Sequence, residues 1–303
     1  MKLLLTGISF VVIAGAAAAA VLSTNAPDKD AFVRALAPAL NYGGAGALSI
    51  SGANPTTGNP TNGAFDSFVS FNTTAMVTNF NGVFGTNNWV ITSATLNLTE
   101  NPSPGNALFN YGTGSFEIRW IANDTWIEGA GNPNAPTTTT GVTYSEEPTY
   151  LNTNTDETLG DFTFAGTAKL SCPLALPVSF VTNMQAGGEV GLFMTAVDSQ
   201  LGYVFYSRNF AGSPASLPAL VVSAAAEPAL TGITVSSTNL VLSATNGFTN
   251  QTYYVLTSTN LATPLNQWTP VLTNNLPAGG GFTLTVTNGI NAAAGQYFIL
   301  RTQ

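Results

Sequence analysis

The sequence is short of charge and lacks the usual reactive residue types. Among 303 residues there are 7 Lys or Arg and 15 Asp or Glu, histidine is absent, and Cys172 is the single cysteine. Without histidine the chain has no Ser-His-Asp or Cys-His machinery and no imidazole ligand for zinc. One cysteine allows neither an intrachain disulfide nor a cysteine-based zinc site.

The charge that is present is mainly acidic. The formal net charge is −8, and charged residues make up 7% of the chain, far below the usual quarter. Nucleic-acid binding is therefore not expected, because phosphate recognition needs clustered Lys and Arg. The 18 Phe, 9 Tyr and 4 Trp, within 45% hydrophobic residues, are enough for a packed core and argue against disorder.

The N-terminus is typical of an export signal. Lys2 is followed by an almost wholly apolar run over residues 3–22 that ends in alanines. This pattern predicts a signal peptide over residues 1–25, cleaved between Ala20 and Ala26. The alternative is a retained anchor, since about 20 apolar residues can span a bilayer. We therefore expect an extracellular or cell-surface protein.

A short linker separates two strand-rich regions. The small residues and proline of 224–229 predict a boundary between a domain over 28–224 and a second over 230–303. Short β-branched or aromatic runs predict eight to ten strands in the first region and about six in the second. One of the runs, Val178 to Val181, is predicted to be a strand. The residues from 129 to 154 are predicted to be a loop over one end or face.

Regular short strands with one polar face indicate antiparallel sandwiches. In residues 115–121, Phe116, Ile118 and Trp120 alternate with Glu117 and Arg119, so the two charged side chains share a polar face. The predicted fold class is all-β. It consists of a large antiparallel jelly-roll-like β-sandwich followed by a small immunoglobulin-like β-sandwich.

Several short motifs carry a family resemblance. In chain order they are Asp30-Ala31-Phe32-Val33, residues 37–43, Leu48-Ser49-Ile50, Phe68 with Phe71, Ala94 with Leu96 and Leu98, Trp126-Ile127-Glu128-Gly129, Gly141-Val142-Thr143-Tyr144, Ser207-Arg208, and residues 218–222. Together they resemble the DNRLRE-type domain, an extracellular β-sandwich related to archaeal disaggregatase. The charged residues that give this family its name are missing, because residues 63–71 carry only Asp66.

The resemblance implies a non-catalytic module. Relatives of this family occur in cell-surface and polysaccharide-handling proteins, and some are similar to carbohydrate-binding modules. The C-terminal region is similar to small β-modules that end many secreted proteins of Verrucomicrobia-like bacteria. Those modules have no settled activity.

A small set of polar and aromatic residues is suited to binding sugars. Arg119 beside Glu117 offers a planar fork for a sugar or uronate, or forms an exposed pair that aids solubility. Trp126 beside Glu128 offers an aromatic platform with a carboxylate, or packs one end of the sandwich. The ligand-binding candidates are Tyr42, Glu117, Arg119, Trp126, Glu128, Tyr144 and Arg208.

Catalytic and metal sites receive little support from the sequence. The acidic pairs Glu146-Glu147 and Asp156-Glu157 are of the kind that glycoside hydrolysis uses, but both lie in loop-like sequence. We therefore expect no catalytic residue. Asp28 and Asp30 are candidate ligands for a structural Ca²⁺ ion, and no other cofactor is expected.

These observations predict a non-catalytic secreted or cell-surface protein that binds extracellular polysaccharide. The alternative is a structural or adhesive subunit of a filament, sheath or surface layer. In that case its edge strands would pair with neighbouring surface proteins or with further copies of the chain. A lyase or hydrolase acting on polysaccharide is the weakest of the three hypotheses.

Overall fold

The protein has an all-β fold, as the sequence predicts. The computed structural model describes residues 20–53, 63–86, 88–101, 114–138, 140–164, 169–227, 229–247, 252–260, 262–264, 267–275, 280–289 and 297–302. Strands account for 52% of the chain and helices for 12%. Most of the predicted signal peptide, up to residue 19, lies outside the described residues.

The chain divides into two compact units. The larger unit comprises Val21–Thr86 and Ile91–Ala224, and the smaller comprises the chain from Ala225 onward together with Asn87–Val90. Eleven described strands lie wholly or partly in the larger unit. They are β1 (Val21–Asn25), β2 (Pro27–Arg34), β3 (Ala47–Ser51), β4 (Phe65–Asn72), β5 (Trp89–Thr99), β6 (Ser115–Ile121), β7 (Glu157–Thr163), β8 (Lys169–Leu174), β9 (Glu189–Ala196), β10 (Gly202–Tyr206) and β11 (Ala219–Ala226). The helices are α1 (Thr74–Phe84), α2 (Glu147–Tyr150) and α3 (Val178–Ala186).

Two antiparallel sheets build the larger unit. One has seven strands in the order β10-β3-β4-β9-β6-β7, with β2 also pairing with β4. The other has four strands in the order β1-β11-β5-β8. This arrangement is consistent with a β-sandwich.

Strand β1 includes residues 21–25, so a signal peptide that ends at residue 25 would contain an entire strand of the folded sheet.

Strand β4 is buried on both faces of the seven-stranded sheet. Its side chains alternate, so that Val69 and Phe71 lie on one face while Asp66, Phe68 and Ser70 lie on the other. We call the second face the covered face. It packs against the segment of residues 122–138 and 140–156, which we call the covering segment. The shared apolar cluster consists of Ala31, Val33, Phe68, Ile121, Trp126, Val142 and Phe193, with Tyr144, Tyr150 and Leu151 partly buried against it.

Helix α3 corrects one sequence prediction. Val178 to Val181 was expected to be a strand, but these residues form the first turn of α3. Pro177 precedes the helix with extended backbone, and Phe180 and Met184 are buried one turn apart on the same helical face. A run of four residues, here Val, Ser, Phe and Val, is too short to distinguish this pattern from a strand.

The smaller unit is also made of antiparallel sheets. Its strands are β12 (Ala229–Ser236), β13 (Asn239–Gly247), β14 (Thr252–Ser258), β15 (Thr269–Asn275), β16 (Gly280–Val286) and β17 (Tyr297–Thr302). They form two sheets, β12-β13-β16 and β15-β14-β17. Leu242, Tyr253 and Leu284 are among the buried residues of its core. About six strands are predicted in this region, and the structure describes six.

Candidate functional site

A row of polar side chains crosses the covered face. Glu117 on β6 pairs with Asp161 on β7 and with Thr195 on β9. Ser67 pairs with Met194, which brings Asp66 on β4 next to Thr195. Because paired residues of antiparallel strands point to the same side, the four side chains lie on one face. We call Asp161, Glu117, Thr195 and Asp66 the polar row.

Arg119 is locked to Glu117 at one end of the polar row. Arg119 Nη2 donates to Glu117 Oε1 at 2.5 Å, and Thr158 Oγ1 donates to Glu117 Oε2 at 2.9 Å. The side chains of Arg119 and Glu117 are 24% and 17% exposed. The two side chains lie on the same face of β6, as the alternation predicts, and on that face Arg119 is paired with Phe193 of the apolar cluster. The guanidinium is held in position and still has N–H groups to offer, since it carries five donors.

Asp66, which is buried, and Glu147, which is half-buried, form a carboxyl pair at the other end of the polar row. The two groups are hydrogen bonded to each other, and Asp66 also forms a hydrogen bond with Thr195. Burial raises the pKa of Asp66 to about 6. Burial, together with the neighbouring Asp66 carboxylate, raises the pKa of Glu147 to about 8. Burial and the same two carboxyls raise the pKa of Tyr144, which lies beside them.

A second polar network joins Asp30, Glu128 and Arg208. Arg208 Nη1 lies 2.6 Å from Glu128 Oε2, and Glu128 Oε1 accepts from the backbone N–H of Asp30 at 3.0 Å. The backbone N–H of Arg208 donates to Asp30 Oδ2 at 2.6 Å. Burial raises the pKa of Asp30 to about 7. Asp30, Glu128 and Arg208 were all predicted as site residues, and the structure brings them together. Their polar atoms mainly connect β2, the covering segment and the chain after β10.

The predicted calcium ligands lie on β2. Oδ1 of Asp28 and Oδ1 of Asp30 are each buried without a hydrogen-bond partner among the described residues. Within those residues no three His, Cys, Asp or Glu side chains come together as a metal cluster. Ca²⁺ takes six to eight oxygens, so these two aspartates would supply only part of a shell. A calcium site here stays a prediction.

The predicted aromatic residues have their rings occupied by protein contacts. Trp126 is 1% exposed, packs on Phe68 with centroids 5.5 Å apart, and carries Lys29 Nζ 4.8 Å from its ring centroid. Tyr42 is buried and stacks on Phe32 at 4.6 Å. Tyr144 is only partly buried. It is therefore the predicted aromatic that keeps part of its surface in solvent.

Asn41 holds the covering segment in place, and the sequence reasoning missed it. Its Nδ2 donates to the carbonyls of Glu128 at 2.7 Å and Val142 at 2.9 Å. Its Oδ1 accepts from the N–H groups of Gly43 at 3.2 Å and Gly131 at 3.1 Å. The side chain is fully buried, and all four contacts reach backbone. An Asn-rich sequence gives no local signal that singles this residue out.

Asp66 could have been identified from the sequence, whereas Thr195 could not. Asp66 is the lone charge between Phe65 and Phe71, in a run whose other members are apolar or Ser. A charge inside a run that reads as a buried strand indicates a partner or a function. Thr195 lies next to last in a mostly apolar strand and is distinguished only by its neighbours in the sheet.

Comparisons with known proteins give no family and no strong structural likeness. No protein-family model matches the chain, and no curated protein matches it. The Macrobrachium rosenbergii nodavirus structure aligns over 100% of this chain and 94% of its own, at 12% identity and a TM-score of 0.22. A β-1,2-glucanase from Parabacteroides distasonis aligns over 93% of this chain and 34% of its own, at 11% identity and a TM-score of 0.18. Among the described helices, none has the length and apolar character to cross a membrane.

Proposed function

We propose that the larger unit is a non-catalytic polysaccharide-binding module of a secreted or cell-surface protein. The proposal rests on the ion pair between Glu117, in the polar row, and Arg119, two residues further along β6 on the same face. Sugar hydroxyls both donate and accept hydrogen bonds, so a carboxylate and a guanidinium already fixed in position suit them. Because both side chains are held before a ligand arrives, little conformational freedom is lost on binding.

Two features favour a neutral polymer over an acidic one. The net charge of −8 repels polyanions in general. Arg119 also has a carboxylate partner already, so an acidic sugar would have to compete with Glu117 for the same donors. A hydroxyl can share the remaining N–H groups without displacing that partner.

The proposal of a non-catalytic role is supported by the geometry of the carboxyl pair. Glycoside hydrolysis places two carboxyl groups about 5–10 Å apart, with the scissile bond or a water molecule between them. Asp66 and Glu147 are instead hydrogen bonded to each other. This contact leaves no space between them for a sugar oxygen. The resemblance to the DNRLRE-type domain and export by an N-terminal signal peptide belong to the same proposal.

Affinity gel electrophoresis against neutral and acidic polysaccharides tests the proposal. We expect a neutral polymer to retard the full chain and Arg119→Ala to weaken that retardation at least tenfold. Lys169→Ala, which removes an exposed cation on β8, is the matched control and is expected to bind normally. If no polysaccharide retards the wild-type chain, or if Arg119→Ala binds as well as the control, the proposal is wrong.

A structural or adhesive role is the second candidate, and strand β12 favours it. In the described part of the smaller unit, β12 lies at the end of its sheet and pairs on one side with β13. Ile233 and Val235 on this strand are 44% and 61% exposed. An edge strand with exposed apolar side chains is a template for pairing with another chain.

Light scattering over a range of protein concentrations distinguishes the two candidates. The structural role predicts that the mass of the particle rises with concentration. It also predicts that Val235→Lys suppresses the rise, because a charge on an edge strand opposes pairing. A wild-type chain that stays monomeric at high concentration would rule this role out and leave the binding role standing.

A further inference from the structure

Helix α2 is attached to the sheet by a contact between two acidic groups. Glu147 is the first residue of α2 in the covering segment, and its carboxyl is hydrogen bonded to that of Asp66 on β4. Around this bond, Tyr144, Tyr150 and Leu151 pack on the apolar cluster of the covered face. Phe68, the residue two positions after Asp66 on the same face, has its ring centroid 6.3 Å from that of Tyr150.

Two carboxyl groups can hydrogen bond to each other only when a proton lies between them, because two carboxylates have acceptors and no donor. Asp66 is buried within a strand and Glu147 is half-buried, so ionising both would place two like charges in a poorly solvated site. Oε2 of Glu147 is buried and has no hydrogen-bond partner among the described residues. Contact between two carboxyls in such a site implies one shared proton.

The groups that face the carboxyl pair do not neutralise it. Thr195 on β9 forms a hydrogen bond with Asp66, and Tyr144 in the covering segment adds a neutral phenol. On β2, the residue paired with Asp66 is Val33, which is apolar. Glu146 directs its carboxylate to the N–H and hydroxyl of Thr143. Among the described residues, no cation is one of the groups that shift the pKa of either carboxyl.

We propose that the carboxyl pair of Asp66 and Glu147 is a proton-dependent latch for the covering segment. With the shared proton in place, the latch holds residues 141–151 on the covered face. When the proton is lost, the two carboxylates repel each other and this part of the covering segment opens more often, although the hydrogen bonds from Asn41 to Val142 and from Ser145 to Pro38 still hold it. The latch goes beyond the proposed binding function and does not depend on it.

The difference in bound protons between the attached and detached states sets how strongly opening depends on pH. In the detached state both carboxyls are solvated and titrate near their ordinary values, whereas in the attached state burial keeps one proton bound to a higher pH. Between those limits the attached state holds one more proton than the detached state. The opening equilibrium then rises up to tenfold for each pH unit. From pH 6 to pH 8 this amounts to as much as about 100-fold.

Hydrogen exchange measured by mass spectrometry on the full chain tests the latch. Exchange at pH 6 and pH 8 is compared after correction for the intrinsic pH dependence of amide exchange. We expect peptides from 141–151 to lose protection by 10- to 100-fold at pH 8, while peptides from β4 and β9 change little. The variant Asp66→Asn/Glu147→Gln keeps a hydrogen bond without a titrating proton, and its protection should not depend on pH.

A control variant and an infrared measurement test the latch independently of the double variant. Asp161→Asn removes an exposed carboxylate from the polar row and should retain the wild-type pH dependence. If the double variant fails to fold, infrared spectroscopy at pH 7 should show a protonated-carboxyl C=O band that Glu147→Gln lowers, while Asp30 contributes to the same band in both chains. Protection of 141–151 that does not change with pH in the wild type, or a band that Glu147→Gln leaves unchanged, would overturn the latch.

Discussion

The substitution Asn41→Ala should strongly destabilise the larger unit. Asn41 is the fully buried amide whose side chain forms four hydrogen bonds to backbone groups. Alanine removes the side-chain amide and leaves two carbonyls and two N–H groups without these partners. The covering segment, which contains three of the four groups, would lose these side-chain contacts to Asn41 and keep its backbone hydrogen bonds to the chain that follows β2.

The expected loss can be estimated from the four contacts. A buried polar group left without a partner costs about 1–3 kcal/mol. Water is expected to enter the space that the amide leaves, so we take the lower value for each group. The sum is about 4 kcal/mol, a large fraction of the 5–15 kcal/mol that stabilises a typical domain.

Urea unfolding followed by tryptophan fluorescence measures this loss, because Trp126 lies in the covering segment. Asn134→Ala is the control: Asn134 is exposed in the same segment, and its replacement should change the free energy of unfolding by less than about 0.5 kcal/mol. If the free energy of unfolding of Asn41→Ala lies within about 1 kcal/mol of the wild-type value, the four contacts do not hold the segment in place.

Three further outcomes are expected. Because burial raises the pKa of Asp30 to about 7, the folded state keeps a proton that the unfolded chain loses near pH 4. The contribution of Asp30 to stability should therefore fall as pH rises from about 4 to 7, and Asp30→Asn should reduce that slope in urea titrations. A chain that starts at Val21 should be more heat-stable than one that starts at Ala26, because the shorter chain lacks β1; equal melting temperatures would contradict the pairing of β1 with β11. Gly129→Ala should destabilise, since Gly129 has a φ of +76° and an added Cβ would collide with the Asn41 amide, whereas Gly82→Ala on helix α1 meets open space and should be neutral or stabilising.

The sequence by itself determined the class of fold. Alternating side chains identify β6 with the same bounds, Ser115–Ile121, that the structure shows, and they place Glu117 and Arg119 on one face. This succeeds because the period of two is a local property of an extended chain and needs no knowledge of distant contacts. The scarcity of charge and the absence of histidine likewise restrict the available chemistry without any structure.

Tertiary structure decided which side chains are exposed and which meet. Trp126 and Tyr42 are suited to sugar stacking by residue type, but other parts of the chain cover their rings. Asp66 and Glu147 are far apart in sequence and become a pair only because the covering segment folds back over β4. The exposure, the partners and the pKa of a side chain depend on what packs against it. In this fold those neighbours come from distant parts of the chain, and a local sequence pattern does not encode them.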